Sequence, residues 1–287
     1  TILLQGSSVK SLTFLGDMFD GVQCPCILLQ LVATGKPLST AGMMIEDRTR
    51  TFIIAMERTV VPENFSFRMT DEEYRVLEKI KNSIPVCYLA DHADFALGIV
   101  TGNNKKFLSA EKTEHSEMVL KGTDICKYHI NPAKQYLRFE PEQFQQVAPL
   151  EIYRAPEKLL YRFISNQLVV AYDDRQMLSL NSCNIVIPKI EGMQIKYILA
   201  ILNSSVSQFV YQKEFHSIKV LRAHMEHIPI PRVGKAIQNE IIAMTEPLIC
   251  GMGKEAAETC QKRLDCRIMD LFRLSAEEQW IIRHALH

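Results

Sequence analysis

The hydrophobic period of this chain changes once, near Met193, and that change limits the fold more than any other feature. Before it, apolar residues come in short runs at 96–100, 136–139, 159–163, 168–172 and 184–188. Turn formers separate them: Gly102, Asn103 and Asn104, then Asn131 and Pro132, Asp173 and Asp174, Asn181 and Ser182. That spacing predicts short strands. After Met193, Ile195, Ile198, Leu199 and Leu202 make a helical stripe, which Val206, Phe209 and Val210 continue past a break at 203–205. Ile228, Pro229, Ile230 and Pro231 mark a boundary, because proline lacks the amide a helix interior needs. Beyond it, Ile237, Ile241, Met244 and Leu248 share one helical face, and Ala256, Cys260 and Leu264 another. Gly251, Met252, Gly253 and Lys254 read as a helix-breaking linker, since no strand precedes them and no Ser or Thr follows in phosphate-loop spacing. The expected class is α+β, an irregular mixed domain with C-terminal helices.

Two capping boxes set helix starts. Thr70 followed by Glu73 opens a helix over 71–82, and Ser275 followed by Glu278 opens the last one. Near the start of the chain, 8–33 reads as two strands joined by a turn around Gly16, Asp17, Asp20 and Gly21. The second strand, 26–32, is almost continuously apolar and fits a strand buried on both faces, as in an α/β sheet. Two strands cannot build such a sheet, so the rest of that domain is expected to be missing. The segment 35–42 reads as a linker, and 52–56 as a further short strand. The first residue is Thr1, not Met, and the chain is expected to begin inside a longer protein. The opening residues have no basic region leading into an apolar signal segment.

At 287 residues the chain has a soft prior of two domains. An apolar fraction of 47% with 23% charged residues excludes disordered, collagenous and fibrous chains. No run of eighteen apolar residues is present, which predicts no membrane span. Lys plus Arg and Asp plus Glu are 33 each, so any basic surface must be local. Between 101 and 230 there are sixteen basic and thirteen acidic residues, a small excess. The eight cysteines include no Cys-x-x-Cys pair, and Cys24, Pro25 and Cys26 are spaced too tightly for zinc. They are expected to be reduced, buried thiols of a cytoplasmic protein.

Catalytic signatures do not emerge. Neither glycine-rich nucleotide motif is present, nor a Gly-x-Ser-x-Gly elbow. His92, His216, His224 and His227 are the metal candidates, but His224 and His227 lack the zincin pattern, and Asp91, His92 and Asp94 have no partner motif. No metal site and no catalytic residue are therefore assigned. One loop does stand out. A short β run ending at Val100 leads into Thr101, Gly102, Asn103, Asn104, Lys105 and Lys106. Small hydrogen-bond donors beside two lysines suit phosphate oxygens.

The order of motifs is more specific than any one of them. Phe95, Gly98, Thr101, Gly102, Asn103, Lys105 and Phe107 come first, then Val119, Lys121, Gly122, Asp124 and Ile125. Tyr136, Arg138 and Phe139 follow, then Leu160, Tyr161 and Arg162, and Val170, Tyr172 and Asp173. Tyr197, Leu202, Asn203 and Ser204 precede Ile228, Pro229, Ile230 and Pro231, and the series closes on Asp270, Leu271, Phe272, Ser275 and Glu278. This succession, over most of 70–287, resembles the C-terminal target-recognition domain of TaqI-like adenine-specific DNA methyltransferases and of related fused restriction–modification enzymes. Phe19, Asp20, Gly21 and Val22 ahead of an apolar strand look like the last hairpin of the methyltransferase domain. The string Asn131, Pro132, Ala133, Lys134 lacks the second proline and the aromatic of the family's adenine-binding motif. No catalytic role is carried onto it.

The resemblance implies three segments: a catalytic-domain remnant and linker at 1–62, the recognition domain at 63–232, and a helical segment packed on it at 233–287. It implies duplex DNA as partner, held for base flipping by a methyltransferase domain absent from this chain. It also implies S-adenosylmethionine as cofactor of the parent enzyme only, none here, and no membrane. Lys105, Lys106, Lys121, Arg154 and Arg162 are the candidates for phosphate contacts, and Asn103, Asn104 and Arg138 for base or sugar contacts. Leu202, Phe209 and Trp280 read as core. Two other readings stay open: a subunit-docking module using an apolar stripe on 235–272, and a nuclease whose site escapes motif reading.

Overall fold

A computed structural model describes residues 6–21, 24–36, 39–58, 67–215 and 217–286. Thr1, Val22, His216 and the expected segment boundary at 62/63 lie outside the described residues. The chain divides into two compact units, Thr1–Glu78 and Lys79–His287.

The first unit is a four-stranded sheet in the order β2-β1-β3-β4. Its strands are β1 (Ser7–Asp17), β2 (Pro25–Ala33), β3 (Met44–Glu46) and β4 (Thr51–Ile53). β1 and β2 form the expected antiparallel hairpin, and β3 joins β1 in parallel. The fourth strand covers 51–53 rather than 52–56. Val9, Leu12, Met43, Ile45, Ile54 and Phe67 make its core. β2 corrects the reading of a doubly buried strand: Ile27 is 56% and Leu28 60% exposed, and Leu31 and Val32 are exposed too. It is an edge strand with β1 as its neighbour, and although Leu29 packs on the core, these four side chains stay open to solvent. Beyond the sheet, α1 (Asp71–Asn82) starts where the capping box predicts. The Thr70 hydroxyl accepts from the Glu73 amide at 3.2 Å, and Glu73 accepts from the Thr70 amide at 2.8 Å.

The second unit follows β5 (Val86–Cys87), β6 (Ala93–Ala96), α2 (Asn104–Phe107), β7 (Leu108–Ser109), β8 (Glu117–Leu120), β9 (Tyr136–Leu137), α3 (Leu150–Tyr153), β10 (Lys158–Arg162), β11 (Val170–Asp173), β12 (Leu178–Ser179) and β13 (Cys183–Pro188). Then come α4 (Ile195–Asn203), α5 (Ser205–Phe215), α6 (Arg222–Glu226), β14 (Ile230–Pro231), α7 (Lys235–Ile249), α8 (Lys254–Leu271) and α9 (Ala276–Ala285). The α+β class holds. One antiparallel sheet runs β11-β10-β13-β6, a second runs β12-β8-β9-β7, and β14 pairs with β5. The core joining the two four-stranded sheets contains Ile99, Val119, Leu120, Leu137, Leu160, Leu178, Leu180 and Ile185. The run expected at 96–100 ends as a strand at Ala96. A side chain at Gly98 would stand 2.1 Å from the Leu180 carbonyl oxygen. The bare backbone there lets Ile99 and Val100 bridge Leu180 and Gln146 instead of extending the ladder. The strand expected at 136–139 stops at Leu137.

Helix α4 is apolar nearly all round and is buried from Tyr197 to Asn203. The Tyr197 hydroxyl donates to the Pro231 carbonyl at 2.9 Å, tying this helix to the Pro-Ile-Pro boundary. Leu202 and Phe209 are core as expected, but Trp280 is 57% exposed and stacks on His284 at 3.9 Å. The last helix buries Ile282 instead, two residues on and so on the opposite face from Trp280. The thiols also differ from expectation: Cys87 and Cys183 are buried, whereas Cys24, Cys250 and Cys266 are exposed.

A buried asparagine sits at the break between α4 and α5. The Asn203 side chain donates to the Val170 carbonyl at 2.8 Å and accepts from the Val170 amide at 3.1 Å. Asn203→Ala strips the buried Val170 amide of its partner, at about 1–3 kcal/mol, while the Val170 carbonyl keeps the Tyr128 amide at 2.7 Å. Urea unfolding should show a stability loss of about 1–3 kcal/mol. A loss under about 1 kcal/mol would show that these bonds are replaced by water.

Candidate functional site

The loop after Val100 is held at both ends. Val100 and Gln146 exchange main-chain hydrogen bonds of 2.9 and 3.1 Å. Thr101 is buried, and its hydroxyl donates to Asn104 Oδ1 at 2.6 Å. Gly102 has φ +76°, a left-handed turn that a side chain would strain. Asn103 caps α2, accepting the Lys106 amide on Oδ1 at 3.2 Å. These bonds turn the side chains of Lys105 and Lys106 to solvent. The Lys106 ammonium lies 4.6 Å from the centroid of Phe107, which meets Phe144 edge-on.

A second loop comes alongside. The Lys121 amide donates to Asp124 Oδ2 at 3.0 Å, closing a 3-10 turn over Gly122–Asp124. The Gly122 amide donates to Ser182 Oγ at 2.9 Å. Asn104, Lys105, Leu108, Lys121, Gln135, Leu180, Asn181 and Ser182 thereby line one depression of ≈ 410 Å³. Two ammonium groups and several neutral donors face it, with no carboxylate in its lining. Gln135, Asn181 and Ser182 were not among the site candidates. Asn181 and Ser182 carried a turn signal only, and their closeness to Lys121 depends on sheet pairing sixty residues apart.

The remaining candidates sit differently. Arg138 is exposed and pairs with Glu140 at 2.8 Å. Arg154 pairs with Glu117 at 2.6 Å and donates to the Gln176 carbonyl at 2.7 Å. Arg162 donates from Nε to the Gly122 carbonyl at 2.9 Å and from Nη2 to the Ile125 carbonyl at 2.5 Å. Its fork holds the Lys121 loop in place. Lys105, Lys106 and Lys121 pair with no carboxylate among the described residues.

The histidines do not converge. His224 is buried against Phe215 at 4.4 Å, accepts from the Leu221 amide at 3.2 Å, and is pushed below its usual pKa by burial. His227 Nδ1 lies 2.6 Å from the Ala223 carbonyl, and Asp94 is taken by Lys189. Among the described residues no three His, Cys, Asp or Glu side chains are placed to share a metal ion. Nor is any helix among them long and apolar enough to cross a membrane.

Residues 117–230 match the family model of the TaqI-like C-terminal specificity domain. The fold is similar to that of the type IIL restriction-modification enzyme MmeI, solved in complex with DNA, at 10% identity and TM-score 0.58, over 98% of this chain and 45% of that one. An HsdS subunit from Thermoanaerobacter tengcongensis is 14% identical over 75% of this chain and 50% of its own, TM-score 0.38. The type IIG restriction endonuclease BpuSI is 10% identical over 94% and 44%, TM-score 0.38. The chain spans half or less of the length of these three structures. No curated protein matches it in sequence.

Arg162→Ala would leave the Gly122 and Ile125 carbonyls without their charged donor. Charge-assisted bonds are worth about 1.5–3 kcal/mol each. Denaturation should show a loss of about 2–5 kcal/mol. Arg162→Lys should recover less than half, because one ammonium cannot reproduce the fork. Unchanged stability in the alanine variant would show that the fork does not hold the loop.

Proposed function

We propose that this chain is the DNA-recognising part of a site-specific restriction–modification protein. One observation carries the reading. Lys121, Asn181 and Ser182, inside the segment that matches a specificity domain, share an acid-free depression with Asn104 and Lys105 from the loop before it. Ammonium groups set beside neutral donors are what duplex recognition asks for, with phosphates supplying affinity and base edges supplying choice.

Within this reading the residues divide by role. Lys105, Lys106 and Lys121 contact phosphates, and Asn104 and Asn181 reach sugar or base edges. Arg138 contacts DNA only by giving up Glu140. Arg154 and Arg162 act indirectly, by holding Glu117, Gln176 and the Lys121 loop. Asn103 preserves the loop by capping α2.

The finer reading concerns the parent protein. An adenine-specific methyltransferase domain, carrying S-adenosylmethionine, would precede this chain and flip the target base while the chain holds the duplex. It would also cover Ile27, Leu28, Leu31 and Val32 on the open edge of β2, which supports this arrangement. The setting is cytoplasmic, where duplex DNA and cofactor meet. The docking alternative has less in its favour. Along 235–272, Met252 is the exposed large apolar side chain, and Ile241, Leu248, Leu264 and Ile268 are buried. A nuclease reading finds no converging metal ligands to rest on among the described residues.

Replacing Lys105 and Lys106 together by alanine tests the assignment. Binding should weaken alike for cognate and non-cognate duplexes. The slope of log affinity against log salt should flatten by about 0.9 per lost phosphate contact. Unchanged affinity and slope would make the loop a solvated turn.

A further inference from the structure

One main-chain hydrogen bond links the depression to a second feature. The Phe163 amide donates to the Ser182 carbonyl at 3.0 Å. From Phe163 the chain leaves the sheet as one side of a short antiparallel ribbon. The Val220 amide donates to the Phe163 carbonyl at 2.8 Å, Ile164 bridges Lys219, and the Ser165 amide donates to the Ile218 carbonyl at 3.0 Å. The ribbon is braced from below, where the Tyr211 hydroxyl donates to the Ser217 carbonyl at 3.1 Å. Ser165 Oγ accepts the Gln167 amide at 3.1 Å, which turns the chain back. These bonds give the tip of the ribbon a defined shape.

Its side chains are unusual for a solvated turn. Ile164 is 62% and Ile218 59% exposed. Directly opposed residues of an antiparallel pair share a face. Ile164 therefore lies on the face of Lys219, and Ile218 on the other face, with Ser165. A single apolar face would suit a flat partner. A ribbon with isoleucine on both faces suits a cleft with two walls. Lys219 is exposed, with its ammonium 5.9 Å from the Phe163 centroid, so the tip also carries positive charge.

We propose that this ribbon enters the major groove of duplex DNA, with Ile164 and Ile218 packed on thymine 5-methyl groups. The inference rests on the DNA reading of the neighbouring depression. The major groove admits a two-stranded ribbon, and thymine alone offers an apolar methyl there among the four bases. Lys219 on the ribbon and Lys121 and Lys105 beside it face the phosphates that border the groove.

The test uses the full chain and a pool of randomised duplexes, from which the wild-type protein selects its preferred sequence. Thymine positions should be fixed in that sequence. Replacing them by deoxyuridine removes only the methyl groups and should weaken wild-type binding about fourfold per lost contact. The exposed double variant Ile164→Ala with Ile218→Ala should keep its melting temperature and salt slope. It should bind thymine and deoxyuridine duplexes equally, and its own selected sequence should lose those thymines. If wild type ignores the methyl groups, or the double variant discriminates as well as wild type, the ribbon does not read them. If Lys105 and Lys106 still govern the salt slope in that event, only the ribbon proposal falls. If wild type binds no duplex in a salt-dependent way, the DNA reading falls and takes this inference with it.

Discussion

The side-chain amide of Asn203 stands where a neighbouring strand would otherwise be. By meeting both main-chain groups of Val170, it closes the outer edge of β11 together with the single parallel bridge that Tyr128 makes to Ala171. Gln208 extends the closure by accepting the Leu168 amide at 2.9 Å. Asn203 ends α4, and Gln208 lies within α5. The exposed ends are then satisfied in turn. Lys127 donates to the Asn203 carbonyl at 3.1 Å, and Asp265 accepts from both the amide and the hydroxyl of Ser205, at 2.9 and 2.8 Å. Burial pushes Asp265 up and Lys127 down from their ordinary pKa values. Their hydrogen bonds are what make that burial tolerable.

The same two strands are clamped at their other end. Lys158 and Asp173 form a fully buried ion pair at 2.5 Å. Lys158 also donates to the Tyr153 carbonyl, and Asp173 accepts the Arg175 and Met177 amides. Burial lowers the Lys158 pKa, and Asp173 opposes the shift. With every polar atom of the pair engaged, β10 and β11 have one register. β10 ends at Arg162, whose fork sets the Lys121 loop, and β13 follows Ser182, which holds that loop by its hydroxyl. The depression is thus a consequence of where two strands stop.

Sequence and structure agree best where the signal is local. Both capping boxes open helices, the change of period at Met193 marks the onset of the helical half, and the Pro-Ile-Pro segment ends α6 and begins β14. What failed depended on neighbours. An apolar run such as 26–32 demands partners without revealing whether the chain supplies them, and β2 has one. Trp280 and Ile282 are two residues apart on α9, and only packing decides which turns inward. Arg154 and Arg162 look like surface cations in a string of letters, yet their donors are spent on carbonyls and a carboxylate. The lysine loop was visible because its chemistry is contiguous. Its partners Gln135, Asn181 and Ser182 arrive through pairing across distant strands, which no spacing rule encodes.

Hydrogen exchange of the full chain, with and without duplex DNA, puts the central claim to the most direct test. The account predicts slowed exchange at 101–106, 121–125 and 180–183, with 163–166 and 217–221 following. Slowed exchange confined to α7 and α8, or none anywhere at duplex concentrations that saturate binding, would contradict it.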